Sequence, residues 1–224
     1  MAIFAMSDLH LPLGIHKPMD VFGAGWDNYV ERISENWKKI VGENDTVLIG
    51  GDVSWATYLE EALPDFQFID ALPGRKIISK GNHDYWWTTA AKLTAFKEEN
   101  GLSTISFLHN TSILCDGYAI AGTRGWRSPF ESDFSGEDRK IYEREMSRLT
   151  LSLKESEKLS EKRICMMHYP PDVGFDEILT EYNVIFCVYG HLHGRNAWNK
   201  FAQSERDILV SADYLEFMPK RIAE

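Results

Sequence analysis

The chain has 224 residues, 44% hydrophobic and 26% charged, with a formal net charge of −10 at pH 7. This is globular composition, enough to bury one core without disulfides or structural metals, and the acidity excludes a broad basic face for long nucleic acid while leaving nucleotide-sized partners open. No apolar run approaches the ~20 residues of a membrane span, and the start MAIFAMSDLH, which reaches Asp8 with no charged leader, does not read as a signal peptide. A soluble, reducing, cytoplasmic setting with no membrane partner is expected. In it Cys115, Cys165 and Cys187, each inside an apolar run, are expected as buried reduced thiols.

The predicted elements alternate from the start. Ile3 to Met6 is a short strand ending in Ser7-Asp8. Tyr29, Ile33, Trp37 and Ile40 recur at three- and four-residue steps, which predicts a helix from about Trp26 to Val41, stopped at Gly42. Thr46 to Ile49 is the next strand, ended by Gly50-Gly51-Asp52. Thr57 and Glu60 form a capping-box pattern for a helix through Leu72, with Pro64 marking a kink or a late start. Lys76 to Ser79 is a third strand, running into Gly81-Asn82-His83-Asp84, and a helix follows to about Asn100. The β-α-β-α-β order predicts a parallel sheet with helices on its faces. Thr111 to Leu114 and Tyr118 to Ala121, joined by Asp116-Gly117, predict a hairpin. A charged helix spans Ser135 to about Leu159, where nothing supports an oligomer contact. Ile164–Met167, Val184–Val188 and Ile208–Ser211 complete the strands. With no repeat or linker, residues 1–224 are read as one domain.

The metal-capable residues fall at strand ends. Asp8 and His10 follow the first strand, Asp52 the second, and Asn82 and His83 the third. His168 follows the Ile164 strand, and His191 and His193 the Val184 strand. Ligands bind beyond the carboxyl ends of strands in open α/β sheets, so these segments are expected to converge on one sheet edge. Carboxylate, amide oxygen and imidazole together suit a divalent ion of intermediate hardness, and one Asp can bridge two ions. Gly51, Gly81 and Gly190 read as positions where backbone passes close to metal or phosphate. Tyr169-Pro170-Pro171 is expected to stiffen the loop carrying His168.

On Asp8-Leu9-His10, Gly51-Asp52, Gly81-Asn82-His83-Asp84, His168 and Gly190-His191-Leu192-His193, the chain resembles the calcineurin-like metallophosphoesterase family. The blocks stand in family order over residues 8–193. The resemblance implies a layered α/β fold, with central mixed β-sheets sandwiched by helices and a metal site at the C-terminal strand ends. It implies two divalent ions (Mn, Fe or Zn), with Asp8, His10 and His193 on the first, Asn82, His168 and His191 on the second, and Asp52 between them. A metal-bridging water or hydroxide would attack phosphorus, with His83 beside the leaving oxygen as general acid or transition-state donor.

The stretch after Gly51-Asp52 reads Val53-Ser54-Trp55-Ala56. It lacks the Asp and Arg of the protein Ser/Thr phosphatases and the metal-binding Tyr of purple acid phosphatases, and both branches are set aside. His83 then lacks its usual carboxylate partner, and Asp84 or an unplaced acid is expected to serve. Trp55, Trp86, Trp87 and Trp126 are candidates for an aromatic wall, or else core cover. Arg124 is a phosphate clamp or an ion-paired surface residue, and Arg195 a weaker clamp. Residues 125–137 are a candidate rim, and His16 and His109 are read as surface residues. Hydrolysis of a monoester or diester on a small phosphorylated substrate is the expected function. The alternatives are a catalytically silent scaffold on the same fold and, disfavoured by the acidity, a lipid-linked pyrophosphatase.

Overall fold

The computed structural model describes residues 1–15, 17, 19, 23–194 and 204–224; His16 and Arg195 lie outside them. The elements run β1 (Ile3–Ala5), α1 (Tyr29–Ile40), β2 (Thr46–Ile49), α2 (Leu63–Asp70), β3 (Arg75–Ile78), α3 (Ala90–Glu99), β4 (Ile105–Phe107), β5 (Ile113–Cys115), β6 (Tyr118–Thr123), α4 (Gly136–Ser156), β7 (Arg163–Met167), α5 (Val173–Glu181), β8 (Val184–Tyr189), β9 (Asp207–Leu209) and β10 (Lys220–Ala223). They form two five-stranded sheets, ordered β10-β1-β2-β3-β4 and β5-β6-β7-β8-β9. In each, one edge strand (β10, β5) is antiparallel and the other four run parallel.

Alternation along the strands builds the layers. Ile3, Ala5, Leu48 and Ile77 of the first sheet share one cluster with Ile120, Ile164, Met166 and Val188 of the second, so the sheets pack face to face. The alternate residues face outward: Phe4, Val47 and Ile78 meet Ile33 and Trp37 of α1, Phe66 of α2 and Leu93 of α3. On the other side, Ala121, Cys165, Met167 and Tyr189 meet Leu149 of α4 and Phe175 of α5. Both faces of each sheet are covered, which is why these strands read as continuous apolar runs. Cys115, Cys165 and Cys187 are buried free thiols, as expected. Among the described residues, no helix is long and apolar enough to cross a membrane.

Local chemistry sets the element ends. Pro64 sits in the first turn of α2, where its missing N–H costs nothing. A short 3-10 turn over Glu60–Ala62 precedes it, and Glu61 rather than Glu60 receives the N–H groups of Thr57 and Tyr58. Ser135 and Asp138 cap α4 reciprocally. The hairpin turn places Asp116 at φ 49° and Gly117 at φ 85°, the left-handed pair that matches strand twist. Three elements carried no clear sequence signal: β4, α5 (capped by Asp172) and β10. Two of them are strands of three or four residues, too short to show a period.

The side chain of Lys76 in β3 is fully buried. Its ammonium donates to the carbonyl oxygens of Leu72 and Asp70 and to Thr104 Oγ1. Burial pushes its pKa down to about 8, whereas the unfolded chain holds that proton to about 10.4. Between these values the unfolded state binds more protons, so stability rises with pH. Wild type should therefore gain thermal stability relative to Lys76→Met between pH 8 and pH 10, read as the difference in Tm at the two pH values.

Candidate metal centre

The parallel strands of both sheets end at one side of the molecule, and there the sheets are stitched together. Ser7 N–H donates to Val210 O (2.8 Å) and Ala212 N–H to Ser7 O (2.9 Å). Asp8, His10, Asp52 and Asn82 come from the first sheet, and His168, His191 and His193 from the second. The expectation of a single sheet edge is therefore corrected. The site lies across two sheets, because β6 to β9 pair with one another and not with β1 to β4.

The seven side chains meet. His10 Nε2 lies 3.2 Å from His193 Nε2, and His193 Nε2 lies 3.5 Å from Asp8 Oδ1. Asn82 Oδ1 receives both His168 Nε2 (2.6 Å) and His191 Nδ1 (2.9 Å). Asp52 Oδ2 lies 3.4 Å from His168 Nε2 and 4.0 Å from His10 Nε2, between the two halves. Two trios have ligand atoms close enough to share an ion: Asp8, His10 and His193, and Asp8, Asp52 and His168. Asp8 belongs to both.

The backbone is strained to achieve this. Asp8, His10, Asp52 and His191 all adopt φ between 46° and 69°, a region that side chains disfavour and that clusters at functional sites. Gly190 is needed for a different reason: a Cβ there would collide with the Asp8 carboxylate and the Ser7 hydroxyl. Gly51, at φ 92°, packs directly on the backbone of Gly81.

Outer partners orient the cluster's side chains. His168 Nδ1 donates to Gly50 O (3.0 Å), which turns Nε2 toward the cluster. His193 Nδ1 pairs with Asp213 Oδ1 (3.1 Å), and Tyr29 donates to His10 O (2.6 Å). Neither Asp213 nor Tyr29 stands in a motif, so sequence alone did not single them out.

Charge in the cluster is divided. Burial alone would raise Asp8 and Asp52. The hydrogen bond from His193 and the charges of His168 and His193 hold Asp8 well below the usual carboxylate range, and His168 lowers Asp52. Burial would lower His168 and His193; Asp52 lifts the first to about 9, and Asp213 with Asp8 lift the second to about 10. Burial pushes His10 and His191 down to about 4. Two carboxylates, two neutral imidazoles, an amide oxygen and two imidazoles that need positive charge form a donor set that a divalent cation satisfies.

His83 faces an open cavity of about 610 Å³ that His10, Asp52, His191 and His193 also line. Its N–H donates to Asp52 Oδ1 (2.8 Å), and its ring lies 5.1 Å from that of Trp55. Trp55 stacks on His10 (4.5 Å, 19°), Lys17 Nζ lies 3.6 Å from its ring centre, and it forms a wall of the cavity. Trp26 and Met19, outside every motif, line the same cavity.

Other expectations are revised. Asp84 is fully buried, and its carboxylate accepts the N–H groups of Gly81 (2.7 Å), Asp52 (2.8 Å) and Val53 (2.9 Å). It binds the Asp52 and Asn82 loops together instead of orienting the His83 ring. Burial and the charge of Asp52 raise its pKa, while the N–H donors hold it back. Trp86 is core, packed on Phe66 (4.9 Å), so it is no substrate wall. Trp87 lines a second cavity and Trp126 stays half-buried beside Tyr169. His109 is half-buried, stacked on Trp87. Arg124 pairs with the buried Glu145 (3.5 Å) and also lines the second cavity.

Replacing Asp84 by Asn keeps its shape but turns an NH2 toward backbone donors. Asp84→Asn should lower the unfolding free energy by about 2 kcal/mol, read by urea denaturation.

The family profile described as calcineurin-like phosphoesterase matches residues 1–195. No curated protein matches the chain. Solved structures with the same fold include the protein of unknown function AQ665 from Aquifex aeolicus (16% identity, TM-score 0.56, covering 98% of this chain and 95% of that one). The phosphopantetheinyl hydrolase PptH from Mycobacterium tuberculosis matches at 13% identity and TM-score 0.56, over 99% and 95% of the two chains. TT1561 of Thermus thermophilus matches at 13% and 0.53, over 85% and 81%. With ordered blocks, a layered two-sheet fold and a converged donor set on one side, the chain belongs to the calcineurin-like phosphoesterase family.

Proposed function

We propose that the protein hydrolyses a phosphoester on a small phosphorylated metabolite or nucleotide, using two divalent ions held by Asp8, His10, Asp52, Asn82, His168, His191 and His193. The observation that carries this reading is the convergence of these seven donors from two sheets, with His10, Asp52, His191 and His193 lining an open cavity. Bound ions would supply positive charge to the phosphoryl oxygens and a water acidic enough to attack at neutral pH. The chain's own residues do the rest. Asp8 and Asp52 supply the negative charge that holds the cations. Gly50 and Asp213 fix the imidazoles of His168 and His193, so their free nitrogens face inward.

His83 stands in the cavity, with its backbone anchored on Asp52, where it can donate a proton to the leaving oxygen. Trp55 and Trp26 offer flat apolar surface for the group carried on the ester. The mycobacterial structure of the same fold is a phosphopantetheinyl hydrolase, and hydrolysis is the class of reaction proposed here. An acidic chain with a compact cavity favours small substrates over polymers.

Purified protein supplied with Mn²⁺ should turn over one of a pair of chromogenic mono- and diesters. Asp52→Asn and His168→Ala should each lower kcat by about 100-fold or more; activity that survives both would sink the mechanism. His83→Ala should lower kcat by about 100-fold with metal content unchanged by elemental analysis, which separates a proton donor from a ligand.

A further inference from the structure

Behind the Asn82 and His168 side of the cluster lies a second cavity, of about 270 Å³. Its lining is unlike the rest of this acidic protein: Lys80, Arg124, Arg144 and Arg148 against one carboxylate, Glu145. Glu145 is buried and already engaged, accepting from Thr123 Oγ1 (2.5 Å), Arg148 Nη1 (2.6 Å) and, at 3.5 Å, Arg124 Nη2. The charged ends of Lys80 and Arg144 make no hydrogen bond or ion pair among the described residues. Arg124 Nε is buried with no hydrogen-bond partner among the described residues. Four cations face one carboxylate, an excess of three positive charges, and the buried Nε of Arg124 is costly to leave unpaired unless something accepts from it.

The cavity is tied to the metal centre by backbone. Lys80 stands two residues before Asn82, and Arg124 O accepts the N–H groups of both His168 and Tyr169 (3.0 Å each). An anion held there would therefore sit beside the loops that carry two of the proposed ligands.

We propose that this cavity binds a phosphate group of the substrate other than the one being hydrolysed, so that the enzyme selects compounds carrying two phosphate groups. The inference rests on the proposed hydrolysis for its substrate, but the anion site stands on its own residues. Guanidinium forks match phosphate oxygens in pairs, and Lys80 adds a point charge. Arg144 and Arg148 reach in from α4, while Arg124 and Lys80 come from the strand ends, so the group is gripped from two sides.

Calorimetric titration of the full, metal-supplied chain with inorganic phosphate tests the site. Wild type should show two binding events, with the event lost in the double variant Arg144→Gln/Arg148→Gln different from the one lost in Asp52→Asn. Arg144 is exposed, and without Arg148 the buried Glu145 still accepts from Thr123 and Arg124, so the double variant should fold, which circular dichroism checks; Lys80→Met is the second probe. No event sensitive to the arginines or to Lys80 would overturn the anion site, whereas no event sensitive to Asp52 would overturn the metal reading instead. In turnover, the double variant should raise KM for a doubly phosphorylated ester at least tenfold more than for a singly phosphorylated one. An equal change in both would overturn the assignment to substrate.

Discussion

Two buried carboxylates, Asp8 and Asp52, are held in one small volume, and like charges there repel strongly when water is excluded. The surrounding structure is arranged to hold them ionised. Ser7 and the His191 N–H donate to Asp8, the His83 N–H donates to Asp52, and His168 and His193 lean their ring nitrogens against the pair. The left-handed backbone at Asp8, His10, Asp52 and His191 is what permits such close approach. Strain of this kind persists only where the surroundings over-determine it. Here that framework is the stitched end of the two sheets, with the Asp84 carboxylate gathering three N–H groups beneath it.

The layered architecture serves this concentration of charge. Each loop that carries a residue of the cluster leaves a strand of one of the two covered sheets, so the loops start from rigid points. Drawing these donors from both sheets brings lone pairs together from opposite directions, which one flat sheet edge would not do. Trp26 and Trp55 then wall one flank of the cluster with aromatic surface.

The two cavities differ in character. The one over the cluster is walled by tryptophan and imidazole, suited to an apolar or flat portion of a substrate. The one behind Asn82 and His168 is lined by guanidinium and ammonium groups in a chain whose net charge is −10. Positive charge gathered against the overall balance makes a local field that only short-range anionic partners feel, since screening removes it within about 8–10 Å in salt.

Much of the site was legible in the sequence because its residues follow apolar runs in a fixed order, and a strand end is a position that patterning can locate. Asp8, Asp52, Asn82, His168, His191 and His193 could be named for that reason, and so could the Asp-Gly hairpin and the Ser135 cap, which rest on local backbone chemistry. Side-chain direction was not legible. Trp86 and Trp87 are adjacent, both follow the third strand, and only packing against Phe66 decides that the first is core. The role of Asp84 depends on which N–H groups fold over it, and the cationic cavity on α4 crossing near the third and sixth strands, contacts between residues scores of positions apart. The division into two sheets was hidden for the same reason. Periodicity reports which face of a strand is buried; which strand lies beside it is settled only by long-range pairing and packing.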